Sequence, residues 1–160
     1  MYKIKVLFVC MGNICRSPSA QGVFEQLVQE AGLEAQIEVD SAGTHAYHVG
    51  EPPDQRATRA AADRGIDLTT QRARRVHARD FEAFDYILAM DRSNLEELRA
   101  ICPEHRQERI GLLLDFAGTD QSSDVPDPYY GGAQGFEHVL DLVEEGASGL
   151  LEAVQQRMVR

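Results

Sequence analysis

Between Lys3 and Val9 the chain carries Ile4, Val6, Leu7, Phe8 and Val9 almost without a polar break. A near-continuous apolar run of this length predicts a parallel strand covered on both faces. The period then changes. Ala20, Val23, Phe24, Leu27, Val28 and Ala31 fall at i, i+3, i+4, i+7, i+8 and i+11, which is one apolar stripe on a helix. Ser17 can cap that helix, and Pro18 suits its first position, where a missing N–H leaves nothing unpaired. Gly32 suits a left-handed cap at its end.

Further along, Gln36 to Ser41 alternates as a short strand, and a loop rich in Gly, Pro and His runs from Ala42 to Asp54. Loops this long in compact domains are functional or mobile. Gln55 to Arg64 reads as an alanine-rich helix stopped by Gly65, and Phe84 to Met90 as a second buried strand. Ser93-Asn94-Leu95-Glu96 fits a capping box opening a helix to Ala100, before Pro103. A fourth apolar run, Ile110 to Leu114, lies within Arg109 to Phe116, and an acidic loop from Gly118 to Gly132 follows. The last helix is predicted from Gln134 to Met158, with Phe136, Val139, Leu140, Val143, Ala147, Leu150, Leu151 and Val154 on one face. Strands alternating with helices predict an α/β fold: a single domain over residues 1–160 with a doubly wound parallel sheet. Ligands bind such sheets beyond the carboxyl ends of the strands, where Cys10 falls.

Bulk composition narrows the function. The 160 residues suit one domain with a full core. A net charge of −10 argues against an electrostatic nucleic-acid binder. The local basic cluster Arg72, Arg74, Arg75 and Arg79 reads as a solvated face. No apolar run reaches membrane-spanning length and the N-terminus lacks a signal-peptide pattern, so a cytoplasmic protein without a membrane partner is expected. Three cysteines in such a chain do not suggest a disulfide framework, and Cys102 reads as a small buried side chain. His45, His48, His77, His105 and His138 show no ligand spacing, so no metal site and no cofactor is expected.

The turn after the first strand, Cys10-Met11-Gly12-Asn13-Ile14-Cys15-Arg16-Ser17, is a C-x5-R-[ST] signature entering a helix. A helix N-terminus leaves unpaired N–H groups and a partial positive charge. If the loop wraps, the amides of Met11 to Arg16 converge on a nest for an anion. Gly12 and Asn13 are the residues most willing to take left-handed torsions there. Arg16 can lay its planar fork on two phosphate oxygens. Cys10 would form the floor. A free thiol is only about 3% ionised at pH 7, but cysteines at helix N-termini or beside cations fall to pKa values of roughly 3.5–7.5. One device would bind a tetrahedral oxyanion and activate the nucleophile facing it, giving a phosphocysteine without a metal.

"VCMGNICRSPSA", "DSAGT" (Asp40 to Thr44), "FDYILAMDRSN" (Phe84 to Asn94) and "DPYYGG" (Asp127 to Gly132) together resemble, in order, the low-molecular-weight protein tyrosine phosphatases. The "SAGT" form is more similar to bacterial members. The resemblance covers nearly the whole chain and implies a flavodoxin-like sheet of four strands, order 2-1-3-4, with helices on both faces. It implies catalysis by Cys10, Arg16 and Asp127, the last chosen as general acid over Asp120 and Asp124 by its place in "DPYY". Substrate contacts are implied for Met11, Gly12, Asn13, Ile14, Cys15, Ser17, Tyr47, Tyr129 and Tyr130. In this picture Ser17 bonds the sulfur, Asn13 holds the loop through Ser41, and the tyrosines wall the substrate ring. Cys15 is either a redox partner for Cys10 or a small loop-filling side chain. Gln71 departs from the histidine that family members often carry behind the phosphate loop. The implied partners are phosphotyrosine proteins, a tyrosine kinase and inhibitory phosphate or other oxyanions. The expected state is a monomer, with a weak dimer as the alternative.

Two other readings remain. An arsenate reductase on this scaffold needs further cysteines to relay a disulfide; residues 77 to 101 hold none, so it would use an external thiol. A non-catalytic phosphate-binding module would need neither nucleophile nor acid.

Overall fold

The first apolar run forms β1, Ile4–Cys10, and its two-sided burial explains its composition. In the computed structural model, which describes residues 3–118, 124–129 and 131–159, Val6, Leu7, Phe8 and Val9 are fully buried. Side chains alternate across a strand, so Ile4, Val6, Phe8 and Cys10 join one core layer and Leu7 and Val9 the other. At about 1.5–3 kcal/mol for each large apolar side chain buried, this strand is a rigid base for whatever sits at its end.

β1 pairs in parallel with β2, Ile37–Gly43, and with β3, Tyr86–Ala89; β3 pairs with β4, Ile110–Leu112. The order is β2-β1-β3-β4, the flavodoxin-like arrangement expected. Successive crossovers leave β1 in opposite directions, which opens a crevice at the carboxyl ends of β1 and β3. On one face lie α1 (Arg16–Glu30), α2 (Gln55–Ala62) and α5 (Ala133–Met158). On the other lie α3 (Asp80–Ala83) and α4 (Arg92–Ile101). Short 3-10 turns at Glu104–Arg109 and Leu113–Phe116 flank β4. The apolar stripe of α1 packs along α5, and Phe24 meets Phe8 edge-on at 5.6 Å.

Three local expectations are corrected, and two short elements are additional to them. α1 begins at Arg16, two residues earlier than a Ser17 cap allows; Ser17 is inside the helix and Cys15 is the N-cap, without a side-chain bond. α4 is capped by Asp91, whose Oδ1 accepts the Asn94 N–H at 2.8 Å, and not by Ser93. The run Ile110–Leu114 is a three-residue strand that turns into a 3-10 helix. α3 and the turn at Glu104–Arg109 are too short to leave a periodic signal. Gly32 and Gly65 do close their helices with φ of 70° and 80°.

Candidate active site

β1 ends at Cys10 and α1 starts at Arg16, so five residues must turn the chain through the crevice. Four of the carbonyls from Cys10 to Cys15 are bonded to the protein body. Cys10 O accepts from Thr44 N, Met11 O from His45 N, Ile14 O from Asp54 N and Cys15 O from Ser19 N. None of the amides from Met11 to Cys15 donates to another described residue. With carbonyls tied outward, these N–H groups line the concave side together with the free first turn of α1.

Asn13 sets the curl. Its φ of 59° makes it the one non-glycine residue with left-handed torsion among those described. Its side chain is fully engaged: Nδ2 donates to Ser17 Oγ (2.8 Å) and Ser41 Oγ (3.0 Å), while Oδ1 accepts the Arg74 N–H (3.0 Å). Ser41 passes its own proton to Gln21 at 2.6 Å. Gly12, expected to share the left-handed role, does not take it. A Cβ there would come within 3.0 Å of His48 Cδ2, so its smallness admits the imidazole. Gly43, which the sequence reading passed over, is tighter still: a Cβ would sit 2.7 Å from Met11 O.

Cys10 Sγ is buried 3.0 Å from Ser17 Oγ. Because that oxygen already accepts from Asn13, its proton is available to the sulfur, the nearer of its two acceptors; Ala42 O lies at 3.4 Å. Arg16 is only 2% exposed. Its Nη1 is held by the Asp91 carboxylate and by Val125 O at 3.0 Å. This leaves the Nε–Nη2 edge as the fork for an anion. Burial works against the guanidinium charge, but Cys10, Asp91 and Asp127 outweigh it and raise the Arg16 pKa. Arg16 is therefore a fixed cation.

The two thiols of the turn differ. Burial, then the neighbouring Asp54, Cys10 and Asp127, push the Cys15 pKa well above the ordinary thiol range. Cys15 is buried and packs in the same core layer as Cys10.

A cavity of about 170 Å³ opens over the loop, based on Cys10, Met11, Gly12, Ile14, Cys15 and Arg16. Its walls are Tyr47, His48, Asp127 and Tyr129. Asp127 Oδ1 accepts the Tyr129 N–H at 3.0 Å, and its Oδ2 lies 3.8 Å from Arg16 Nη2. Arg56 covers Tyr129 from outside, 5.5 Å from the ring centre, and pairs with Asp54 at 3.0 Å. Ser17 and Asn13 underlie the cradle and do not line the cavity. Tyr130 and Asp120 lie outside the described residues.

His48, Asp91, Gly43 and Arg56 escaped the sequence reading. Asp91 lies within FDYILAMDRSN, but no local pattern gives it a role, because its partner Arg16 is 75 residues away. The basic cluster is not uniformly solvated: Arg74 is anchored by Asp40 (3.1 Å) and Asp80 (3.0 Å) and braces Asn13 through its backbone. Gln71 Nε2 donates to Pro18 O at 3.0 Å, so it steadies the start of α1 and not the loop itself. No group of three or more potential metal ligands occurs among the described residues, and no helix there is long and apolar enough to cross a membrane.

Residues 5–160 match the family model described as low molecular weight phosphotyrosine protein phosphatase. The Bacillus subtilis low molecular weight protein-tyrosine-phosphatase YfkJ is 42% identical over 153 residues, covering 96% of this chain and 97% of its own. A crystal structure of a protein tyrosine phosphatase from Entamoeba histolytica, with Hepes in its active site, superposes with a TM-score of 0.94 at 40% identity, over 98% and 99% of the two chains. A Drosophila arginine phosphatase superposes with a TM-score of 0.88 at 35% identity, over 94% and 98%. With Cys10 and the buried Arg16 brought together in one crevice and a match that runs the length of the chain, this phosphatase belongs to the low molecular weight phosphotyrosine protein phosphatase family.

Proposed function

We propose that the chain hydrolyses phosphotyrosine in proteins, and small aryl phosphates, through a phosphocysteine on Cys10. One observation carries this reading: Cys10 Sγ lies at the floor of a cradle whose amides bond no other described residue, with the buried Arg16 beside it and the Asp127 carboxylate above. The amides and the Nε–Nη2 edge of Arg16 hold three phosphate oxygens and stabilise the charge that shifts onto them. The sulfur attacks phosphorus from below. The P–O bond to the aryl oxygen breaks on the opposite side, and protonated Asp127 donates its proton to that oxygen. In the second half, Asp127 takes a proton from water as the water oxygen bonds phosphorus. The S–P bond breaks, and Ser17 donates a hydrogen bond to the departing thiolate. Tyr47, His48 and Tyr129 offer ring faces to an aryl ester, which favours phosphotyrosine over aliphatic esters.

The decisive experiment is trapping and mapping the phosphorylated residue. Cys10→Ser should abolish turnover and keep phosphate affinity within about tenfold, since the cradle remains; surviving activity would refute the nucleophile. Asp127→Asn should lower kcat/KM about 10²–10⁴-fold for poor leaving groups and far less for good ones. Phosphoarginine, assayed beside phosphotyrosine, tests the substrate. Faster turnover of the P–N bond would replace the phosphotyrosine reading. An arsenate reductase using an external thiol is the alternative on the same scaffold. Cys102 packs in the core layer across the sheet from Cys10, so a relay between them is not assembled. Arsenate reduction with an added thiol system, exceeding p-nitrophenyl phosphate hydrolysis, would favour it.

A further inference from the structure

The strap that carries Asp127 is stiff. Val125 is fully buried and precedes Pro126; Asp127 precedes Pro128. Each proline fixes its own φ, and each restricts the residue before it to extended backbone. Residues 125–128 therefore form a short stiff unit, and the direction of the Asp127 carboxylate depends on how the strap is pinned upstream as well as on the bond it accepts from the Tyr129 N–H.

Two pins meet there. Val125 N–H donates to Met90 O at 2.8 Å, and Val125 O accepts from Arg16 Nη1 at 3.0 Å. Both act at Val125 itself, the residue that follows Asp124. The second pin is Asp124, whose Oδ1 accepts the Arg92 N–H at 3.0 Å. That amide is at the first residue of α4, where Asp91 already serves as cap, and the helix N-terminus favours a carboxylate.

We propose that Asp124 is a positioning residue for the leaving-group acid: its bond to the Arg92 amide fixes the orientation of the Val125–Pro128 strap and so aims Asp127 at the cradle. The inference rests on the assignment of Asp127 as the acid. It also predicts that Asp124, the rival carboxylate of the same loop, does not itself deliver the proton.

The test compares Asp124→Ala and Asp124→Asn with Asp127→Asn, measuring kcat/KM over aryl phosphates from p-nitrophenyl to phenyl, with phosphate Ki and melting temperature alongside. Asp124 is near the surface, so truncation leaves no core cavity. A tilted acid loses part of the general-acid factor, so Asp124→Ala should fall about tenfold or more on phenyl phosphate and less than about threefold on p-nitrophenyl phosphate. Phosphate Ki should stay unchanged. Asp124→Asn, whose amide oxygen can still accept the Arg92 N–H, should restore the shallow leaving-group dependence. Equal losses on every substrate, or an Asn variant as impaired as Ala, would overturn the proposal. If Asp127→Asn shows no leaving-group dependence, the acid assignment fails instead, and that result is separable from the Asp124 pair.

Discussion

Asn13 and Gly43 show how much of a phosphate cradle rests on backbone shape. Asn13 tolerates left-handed torsion and spends its whole amide on Ser17, Ser41 and Arg74. That a Gly-Asn pair would bend the loop was legible in the sequence; which of the two bends was not, because it depends on where His48 comes to rest. Gly43 was invisible for the same reason. Its place at the end of β2, beside Cys10 in the parallel register, is a tertiary fact. A methyl group there would press on Met11 O at 2.7 Å, His45 O at 3.1 Å and Asn13 N at 3.2 Å, all of them backbone. Since displacements near 1 Å can cost about 10²-fold in rate, Gly43→Ala should lower kcat/KM by about 10–100-fold on good and poor leaving groups alike, and weaken phosphate inhibition with it. A variant with normal phosphate Ki would show that the loop tolerates the strain.

At the scale of elements, the sheet and long helices were readable because burial on two faces or one stripe writes a periodic pattern. Helix starts were not, and the reason is common to α1 and α4. Both begin one or more residues before their local signals because a tertiary partner fixes them: Arg16 is held by Asp91, and Asp91 caps α4 while holding Arg16. α2 is simpler. Asp54 caps it, accepting from the N–H groups of Arg56 and Ala57, and also pairs with the Arg56 side chain. Burial pushes the Asp54 pKa up, but the bonds to Arg56 and Ala57 win and it ends below the usual carboxylate value. A depressed carboxylate contributes stability that is present above its unfolded pKa of about 3.9 and fades as pH falls through the lower folded value. Asp54→Ala should therefore lose about 1 kcal/mol of stability at neutral pH, a drop of about 2–4 °C in melting temperature for a chain of this size. The gap between wild type and variant should narrow in scans below about pH 4; a gap independent of pH would assign the loss to the cap geometry alone.

For the molecule as a whole, function sets a small fixed cation inside a large negative field. The chain carries −10 formal charge, with 26 acidic and 16 basic side chains. Near the cavity, Glu51 and Asp54 add to the negative side, while Arg16 is buried and Arg56 is paired. On the proposed function, a phosphotyrosine peptide would approach through that field before its phosphate reached the cradle, and fields of this kind alter association rates by about tenfold or more at low salt. In the proposed complex the phosphate would sit at short range in a buried site, where salt screens weakly; the flanking charges of the peptide would feel the field over a Debye length of about 10 Å at 0.1 M ionic strength. The salt dependence of kcat/KM should thus change sign with the flanks. A phosphotyrosine peptide with acidic neighbours should be processed faster as salt rises from low values, because repulsion is screened. One with basic neighbours should be processed more slowly, because attraction is lost. Initial-rate measurements on the two peptides between low and physiological ionic strength test this, with p-nitrophenyl phosphate as a reference that lacks flanking charge. Parallel salt responses from both peptides would mean that the outer field plays no part in choosing substrates, and selection would then lie within the cavity walls of Tyr47, His48 and Tyr129.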